Sequence, residues 1–179
     1  MNTDDLIAQS IDTVTQMMAI AAITAPKAKG ESCVAVDVLK GTVLQDLSRE
    51  MIAFGEHSHK VNFDRDGKNV ARSDAVVLIG LKEPNTVGLN CGACGYATCA
   101  ELLLQKPIEG EFRGPICAHR LLDMGIALGS AVKTASLLNV DNRIMYRIGA
   151  VAREMGLVDW HFVLGIPVSV TGKSIYFDR

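Results

Sequence analysis

Residues 75–81 have the sequence AVVLIGL, an uninterrupted run without a polar side chain. A run of this kind predicts a strand that is covered on both of its faces. Other elements of the fold must therefore lie above and below it. Four of the five cysteines follow within the next 36 positions, at 91 to 117. The sequence thus predicts a candidate metal site beside the end of the central strand, in a loop.

The rest of the chain shows short helical and strand patterns. Apolar residues at spacings of three and four predict helices, and short β-branched runs predict strands. The predicted helices span 4–23, 42–55, 119–138 and 141–155, and the predicted strands span 33–39 and 161–170. Residues 56–73 are polar with at most a short irregular or helical piece, and 171–179 form a polar tail.

Three local signals accompany these elements. Thr42 with Gln45 three positions later predicts a capping box at the start of the second helix. Asp66-Gly67 predicts a turn in the polar stretch. Asp141 is predicted to cap the last long helix.

The order of elements predicts an α+β fold, layered and of mixed α/β type, in a single domain over 1–179. Residues 88–120 are predicted to be a cluster-binding segment inserted after the central strand. A chain of this length buries roughly 70% of its unfolded surface, so it does not require disulfides for stability. The cysteines therefore need another explanation.

Charge and hydropathy exclude several classes of function. The 18 Lys and Arg against 20 Asp and Glu give a net charge of -2 without a basic stripe, so no nucleic-acid partner is expected. No apolar run reaches the roughly 18 to 20 residues of a membrane span. Asp4 and Asp5 stand where a signal peptide carries basic residues. The sequence predicts a cytoplasmic protein.

The cysteines at 91, 94, 99 and 117 form a C-x2-C-x4-C-x17-C pattern. Each of the four irons of a 4Fe-4S cluster binds one thiolate, so three ligands from a short loop and one distant ligand suit such a cluster. Gly92 and Gly95 allow the loop backbone to approach the inorganic sulfides closely. We therefore predict that Cys91, Cys94, Cys99 and Cys117 bind a 4Fe-4S cluster.

Other readings of the cysteines stay open. Structural zinc is one alternative, although its four-cysteine sites usually contain two C-x2-C pairs and this chain has one. Free thiols are another. The fifth cysteine, Cys33, lies outside the spacing and is predicted to be a small buried hydrophobe. His119 and Arg120 either donate hydrogen bonds or charge to the cluster, or are ordinary residues at a helix start.

Residues 91–117 resemble the 4Fe-4S domain found in a subunit of membrane reduced-ferredoxin:NAD oxidoreductases and in corrinoid iron-sulfur proteins. In that domain a proline usually follows the fourth cysteine. Here Ala118 follows Cys117, and Pro115 precedes it.

A wider resemblance covers almost the whole chain. The segments that carry it are AAITAPKAKG at 21–30, SDAVVLIGL at 73–81, the cysteine segment, LDMGIALGSAV at 122–132, VDNRIM at 140–145 and GIPVSVTGKSIYFDR at 165–179. The chain is similar to a family of uncharacterised bacterial and archaeal proteins with a ferredoxin domain, mostly from anaerobes. The resemblance implies a cytosolic cluster-binding protein and does not indicate a substrate.

The order of elements, the APKAKG loop and the GIP strand also resemble flavin-dependent nitroreductases. That resemblance implies a homodimer with FMN at its interface. Basic residues near the N-terminus hold the FMN phosphate in that fold, whereas this chain has no Arg pair there. Lys27 and Lys29 are the candidates for a phosphate contact.

These observations lead to one main hypothesis and two alternatives. The main hypothesis is a cytosolic 4Fe-4S redox protein that transfers single electrons, as ferredoxins do, to an unidentified redox partner protein. The first alternative is a nitroreductase-like, flavin-dependent oxidoreductase that receives electrons from the cluster. The second is a zinc-stapled protein-interaction module. Whether the protein is an enzyme stays open, and no catalytic residue is assigned.

Overall fold

An antiparallel sheet with helices on both faces organises the chain. The computed structural model describes residues 2–177. The helices are α1 (Thr3–Thr24), α2 (Thr42–Ser58), α3 (Phe63–Ala71), α4 (Cys99–Leu103), α5 (Ala118–Leu137) and α6 (Tyr146–Glu154), and the strands are β1 (Val34–Leu39), β2 (Ala75–Leu81), β3 (Ile108–Glu109), β4 (Arg113–Gly114), β5 (Asp141–Asn142) and β6 (Phe162–Ser169). The main sheet has the order β1-β2-β6-β5, and β3 and β4 form a separate hairpin.

Strand β2 lies between β1 and β6, and all seven of its residues are buried. Its side chains alternate between two hydrophobic cores. Val77 and Ile79 belong to the core under α1 and α5, whereas Val76 and Leu78 belong to the core under α2, α3 and α6. Each fully buried aliphatic side chain contributes about 1.5–3 kcal/mol relative to exposure. The structure therefore confirms the α+β fold and the two-sided cover of the central strand.

Two glycines allow α6 to lie directly on β6. A β-carbon on Gly149 would stand 1.8 Å from the carbonyl oxygen of Val163, and one on Gly165 would stand 2.1 Å from Cγ2 of Ile148. Any larger residue at either position would push the helix away from the sheet.

The predicted capping box at Thr42 is wrong. The residue that precedes α2 is Gly41, whose φ is 67°, and no side chain caps the helix there. Glycine adopts this left-handed conformation without the penalty that a β-carbon brings. The helix therefore begins at Thr42 itself.

The predicted turn at Asp66-Gly67 is also wrong, because both residues lie inside α3. Asp66 is buried and pairs with Arg147 at 2.9 Å and with Arg65 at 2.8 Å. A β-carbon on Gly67 would stand 2.9 Å from the carbonyl oxygen of Ser48. The aspartate and the glycine thus serve tertiary packing of α3 rather than a reversal of the chain.

Asp141 does not cap the last long helix. It lies in β5 opposite Ser169 of β6, and the cap position of α6 is Met145. Asp141 and Asn142 pair with β6 and are therefore part of the sheet.

The C-terminal segment was predicted to be a polar tail, but part of it is buried. Tyr176 is buried, with its hydroxyl 2.9 Å from Oγ of Ser73, and burial raises the pKa of Tyr176 to about 12. The tail therefore packs against the domain. Residues 178 and 179 lie outside the described residues.

Helix α1 corrects the expectation that no segment matches a membrane span. By length and composition alone, its 22 residues could cross a membrane. The core helix of a soluble protein passes the same test. Here Ile11, Val14 and Met18 face the sheet and α5 as part of a core.

Candidate metal centre

The cysteine segment begins where β2 ends. Residues 82–98 lie outside helices and strands, Cys99 is the first residue of α4, and Cys117 directly precedes α5. Cys91 is exposed, Cys94 and Cys99 are half-buried, and Cys117 is buried. The four thiols thus range from the surface to the interior.

The distant cysteine returns to the cysteine loop. Cys117 is buried with Val87 and Leu102 in a small hydrophobic cluster, and Cys94 and Tyr96 pack against the same cluster. This arrangement brings Cys94 and Cys117 together across 23 positions of sequence.

Cys99 is held by the loop that precedes it. The amide of Asn90 donates to Sγ of Cys99 at 3.4 Å, and the amide of Cys99 donates to Oδ1 of Asn90 at 2.8 Å. The backbone hydrogen bond from Asn90 is the largest cause of a lowered pKa at Cys99. Burial opposes it, and the amides of Gly88 and Leu89 and the hydroxyl of Thr86 lower the pKa further. These donors favour the thiolate, the form that binds metals.

The backbone around these donors turns tightly at several positions. Gly88, Asn90, Gly92 and Gly95 have φ values of 78°, 48°, 73° and 88°. Glycine adopts positive φ without steric cost, which suits a loop that turns tightly at these positions, and the amide of Gly95 donates to the carbonyl oxygen of Gly92 at 2.9 Å. The approach of this backbone to inorganic sulfides stays a prediction.

Thr98 and Glu101 stabilise the first turn of α4. Oγ1 of Thr98 accepts from the amide of Glu101 at 3.2 Å, and a carboxylate oxygen of Glu101 accepts from the amide of Ala97 at 3.1 Å. The T-x-x-E spacing is a capping signature that sequence reasoning missed. These hydrogen bonds fix the position of Cys99 at the start of α4.

Among residues 2–177, no group of three or more His, Cys, Asp or Glu side chains is arranged to hold one metal ion. A structural zinc ion requires its four ligands to converge on a single point. In a cubane, by contrast, each thiolate binds a different iron, so the ligands stand around a larger body. Four thiolates are the usual ligands of a 4Fe-4S cluster and also of some structural zinc sites, so the donor set fits both.

Arg120 lies behind the cysteine loop. Its side chain is fully buried, and it pairs with Glu31 at 2.7 Å and with Asp123 at 3.2 Å. Burial alone would lower the pKa of Arg120, but the hydrogen bonds to Glu31 and Asp123 outweigh burial and raise it. The guanidinium does not serve as a surface charge at the helix start, one of the two roles proposed for it from the sequence.

The two lysines of the APKAKG loop have different environments. Nζ of Lys27 donates to the carbonyl oxygens of Ala22, Ile23 and Ala25 at 2.6–2.9 Å, which engages its ammonium at the end of α1. Its pKa is lowered, chiefly by burial. Lys27 therefore does not fit the role of a flavin phosphate ligand. Nζ of Lys29 lies 3.5 Å from where a β-carbon on Gly88 would stand, beside the loop that holds Cys99.

Cys33 lies next to the same region. It packs against the core under α1 and α5 but is half-buried rather than buried as predicted, and its Sγ lies 3.4 Å from Oδ1 of Asn85. His119 is also half-buried.

A charged network fixes the hairpin that leads to Cys117. The Arg113 side chain pairs with Glu109 and, at 2.9 Å, with Asp159, and its amide donates to the carbonyl oxygen of His161 at 2.8 Å. Arg153 of α6 donates to the carbonyl oxygen of Glu111 at 2.8 Å. The hairpin is thereby attached to the start of β6 and to α6.

The fold is that of nitroreductases. A Desulfitobacterium hafniense nitroreductase with bound FMN has a TM-score of 0.55 at 14% identity, covering 91% of this chain and 79% of its own. The FMN-dependent nitroreductase NfnB from Mycobacterium smegmatis has a TM-score of 0.58 at 10% identity, covering 90% and 78%. A BluB-like flavoprotein from Clostridium difficile has a TM-score of 0.53 at 17% identity, covering 91% and 82%. These similarities define the class of fold.

Sequence comparison identifies the family. The profile described as "Uncharacterized protein containing a ferredoxin domain (DUF2148)" matches residues 113–179, which include Cys117. An uncharacterised protein of Archaeoglobus fulgidus is 42% identical over 179 residues, covering 100% of this chain and 97% of its own length. The chain belongs to this family of ferredoxin-domain proteins, and the family description supports iron-sulfur redox chemistry in general.

The network around the hairpin predicts an acid-sensitive contribution to stability. Burial, followed by the charges of Arg113 and Arg153, lowers the pKa of His161 below its usual 6.5. As the pH falls below that value, the unfolded chain binds a proton before the folded chain does, so the free energy of unfolding decreases. The loss should continue until the pH reaches the lowered pKa of the folded state.

We expect His161→Gln to remove this part of the acid sensitivity. Urea midpoints of the metal-free protein at about pH 7.5 and about pH 5.5 would measure it. Above about pH 7.5 the difference between the two proteins should be constant, because the imidazole is neutral in both states. If the urea midpoint falls equally in both proteins between the two pH values, the assignment to His161 is contradicted.

Proposed function

We propose that this protein is a 4Fe-4S redox protein of the ferredoxin type that transfers single electrons. The observation that carries the proposal is the amide of Asn90 that donates to the Cys99 thiol at 3.4 Å, within a loop that also contains Cys91 and Cys94. Hydrogen bonds from backbone amides to ligand sulfurs are a principal means by which proteins tune such clusters. We assign Cys91, Cys94, Cys99 and Cys117 as the ligands and 88–120 as the cluster-binding segment.

Each part of the segment would have a separate role. A bound cluster supplies the one-electron chemistry. Cys117 and Cys94 would bind the cluster on the side that faces Val87 and Leu102, away from water. Cys91 is exposed, so electron exchange with a protein partner would take place on its side. The amides at 88–90 would stabilise the negative charge on the Cys99 sulfur.

We also propose a cytoplasmic homodimer that exchanges electrons with a separate redox partner protein. Helices α1 and α5 pack beside each other under the sheet, and several large apolar side chains on them face outward. The most relevant are Met17, Ile20, Ile23, Leu122 and Ile126, which are 40–60% exposed. A second copy would remove this surface from water.

A flavin-dependent oxidoreductase is a second candidate function. Two of the three similar structures described above name FMN, which favours this candidate. The ammonium of Lys27 donates to three carbonyl oxygens at the end of α1, which argues against a phosphate contact from that residue. We therefore place it behind the electron-transfer proposal.

Replacement of one ligand tests the proposed site. Cys117→Ser substitutes a weaker ligand at the position that closes the site from outside the loop, and we expect iron loss to a chelator to accelerate by at least about 10-fold. Iron retention in protein prepared without oxygen measures the effect. Cys33→Ser is the matched control, and it should retain the wild-type iron content. Equal retention in wild type and Cys117→Ser would contradict the ligand assignment.

The dimer has its own test. We expect light scattering to give twice the chain mass of 19.2 kDa. Ile126→Glu places a charge on the outward face of α5 and should shift the protein to monomer. Leu104→Glu, at a residue 81% exposed outside α1 and α5, is the control and should stay dimeric. A monomeric wild type would contradict the proposal.

A further inference from the structure

Arg120 begins at the same helical turn as a proposed cluster ligand. It lies three residues after Cys117, and its amide donates to the carbonyl oxygen of Cys117 at 3.0 Å. The base of the Arg120 side chain and the Cys117 sulfur are therefore fixed relative to each other by the first turn of α5.

The far end of the side chain reaches the loop that holds Cys99. Nη2 of Arg120 donates to Oδ1 of Asn85 at 2.8 Å, and Nε donates to the carbonyl oxygen of Asn85 at 3.2 Å. Both the side chain and the backbone of Asn85 are thus held. Five residues further along the same loop, Asn90 exchanges two hydrogen bonds with Cys99, at 3.4 Å to the sulfur and at 2.8 Å from the amide.

A second set of contacts holds the guanidinium itself in place. Nη1 donates to the carbonyl oxygens of Ala28 and Glu31 at 3.3 and 3.0 Å and to Asp123 at 3.2 Å. Asp123 in turn accepts from the amide of Ala28 at 2.8 Å. The planar fork of arginine reaches these acceptors and Asn85 at once, which the single ammonium of lysine does not.

We propose that Arg120 is a positioning residue that holds the Cys99-binding loop and the Cys117-bearing helix turn in one geometry. The inference rests on the proposed cluster site. Residues 82–98 form no helix or strand, so contacts such as those at Asn85 determine where the donors to Cys99 lie. Arg120 would thereby set the hydrogen bonds to a ligand sulfur without touching the cluster.

Two variants and one control test this role. Arg120→Gln removes the charge and most of the fork, and Asn85→Ala removes the side-chain link to the loop, together with the contact from Cys33, while leaving the pair with Asp123. Arg147→Gln is the matched control, because Arg147 also pairs with a buried aspartate, Asp66, but lies on α6. If the effect of losing such a pair is only a lower stability of the fold, Arg120→Gln and Arg147→Gln should show it alike.

We expect Arg120→Gln and Asn85→Ala to release iron to a chelator about 10–100-fold faster than wild type and to shift the electron paramagnetic resonance spectrum of the reduced protein. Arg120→Lys should be intermediate. In metal-free protein, the amides at 88–90 should exchange hydrogen faster in the first two variants. Arg147→Gln should keep the wild-type spectrum, iron release and exchange at 88–90.

The outcomes separate the two proposals. A wild-type protein that takes up no iron overturns the proposed function, and a positioning role in cluster binding fails with it. If wild type takes up iron but Arg120→Gln and Asn85→Ala match Arg147→Gln in spectrum and release rate, the proposed function stands and the role of Arg120 is overturned.

Discussion

The buried guanidinium of Arg120 connects two inter-element connections of the chain to helix α5. The connection between α1 and β1 supplies Glu31 and the carbonyl oxygen of Ala28, the connection between β2 and α4 supplies Asn85, and α5 supplies Asp123. A charge at a side chain that is 0% exposed is tolerable only with such partners, and removal of one partner from a buried pair costs about 3–5 kcal/mol. The placement of the cysteine loop depends on this interaction.

The length of strand β2 separates the candidate metal centre from the hydrogen-bonded pair of Ser73 and Tyr176. The cysteine loop leaves β2 at Leu81, opposite Phe162, whereas Tyr176 and Ser73 lie beyond the other end of the strand. A seven-residue strand spans about 20 Å at about 3.4 Å per residue. The two ends can therefore be altered independently, and a substitution near Tyr176 tests the fold without touching the proposed ligands.

Much of the fold follows from hydrophobic patterning. The apolar run of β2 predicted a strand covered on both faces because its side chains alternate between two cores, and the helix stripes on α1, α2 and α5 faced those cores as expected. Local polar signals were less reliable. The Asp66-Gly67 pair, typical of a turn, lies in a helix because Arg147 and the α2 backbone provide tertiary contacts that outweigh the local preference.

The cysteine spacing indicated the candidate site, but its surroundings could not be predicted from spacing. Asn85 lies 35 positions from Arg120, and no periodicity links them. Asn90 has a φ of 48°, and its role follows from the path of the backbone rather than from a motif. Thr98 and Glu101 are the exception, since their spacing is a capping signal that was available in the sequence.

Iron, acid-labile sulfide, zinc and flavin content of the wild-type protein, purified without oxygen, test the account most directly. Binding of a 4Fe-4S cluster predicts about four irons and about four sulfides per chain, with a visible absorbance that bleaches on reduction. Bound flavin in addition would favour the oxidoreductase reading. One zinc per chain without sulfide would contradict the account and leave the cysteines as a structural staple.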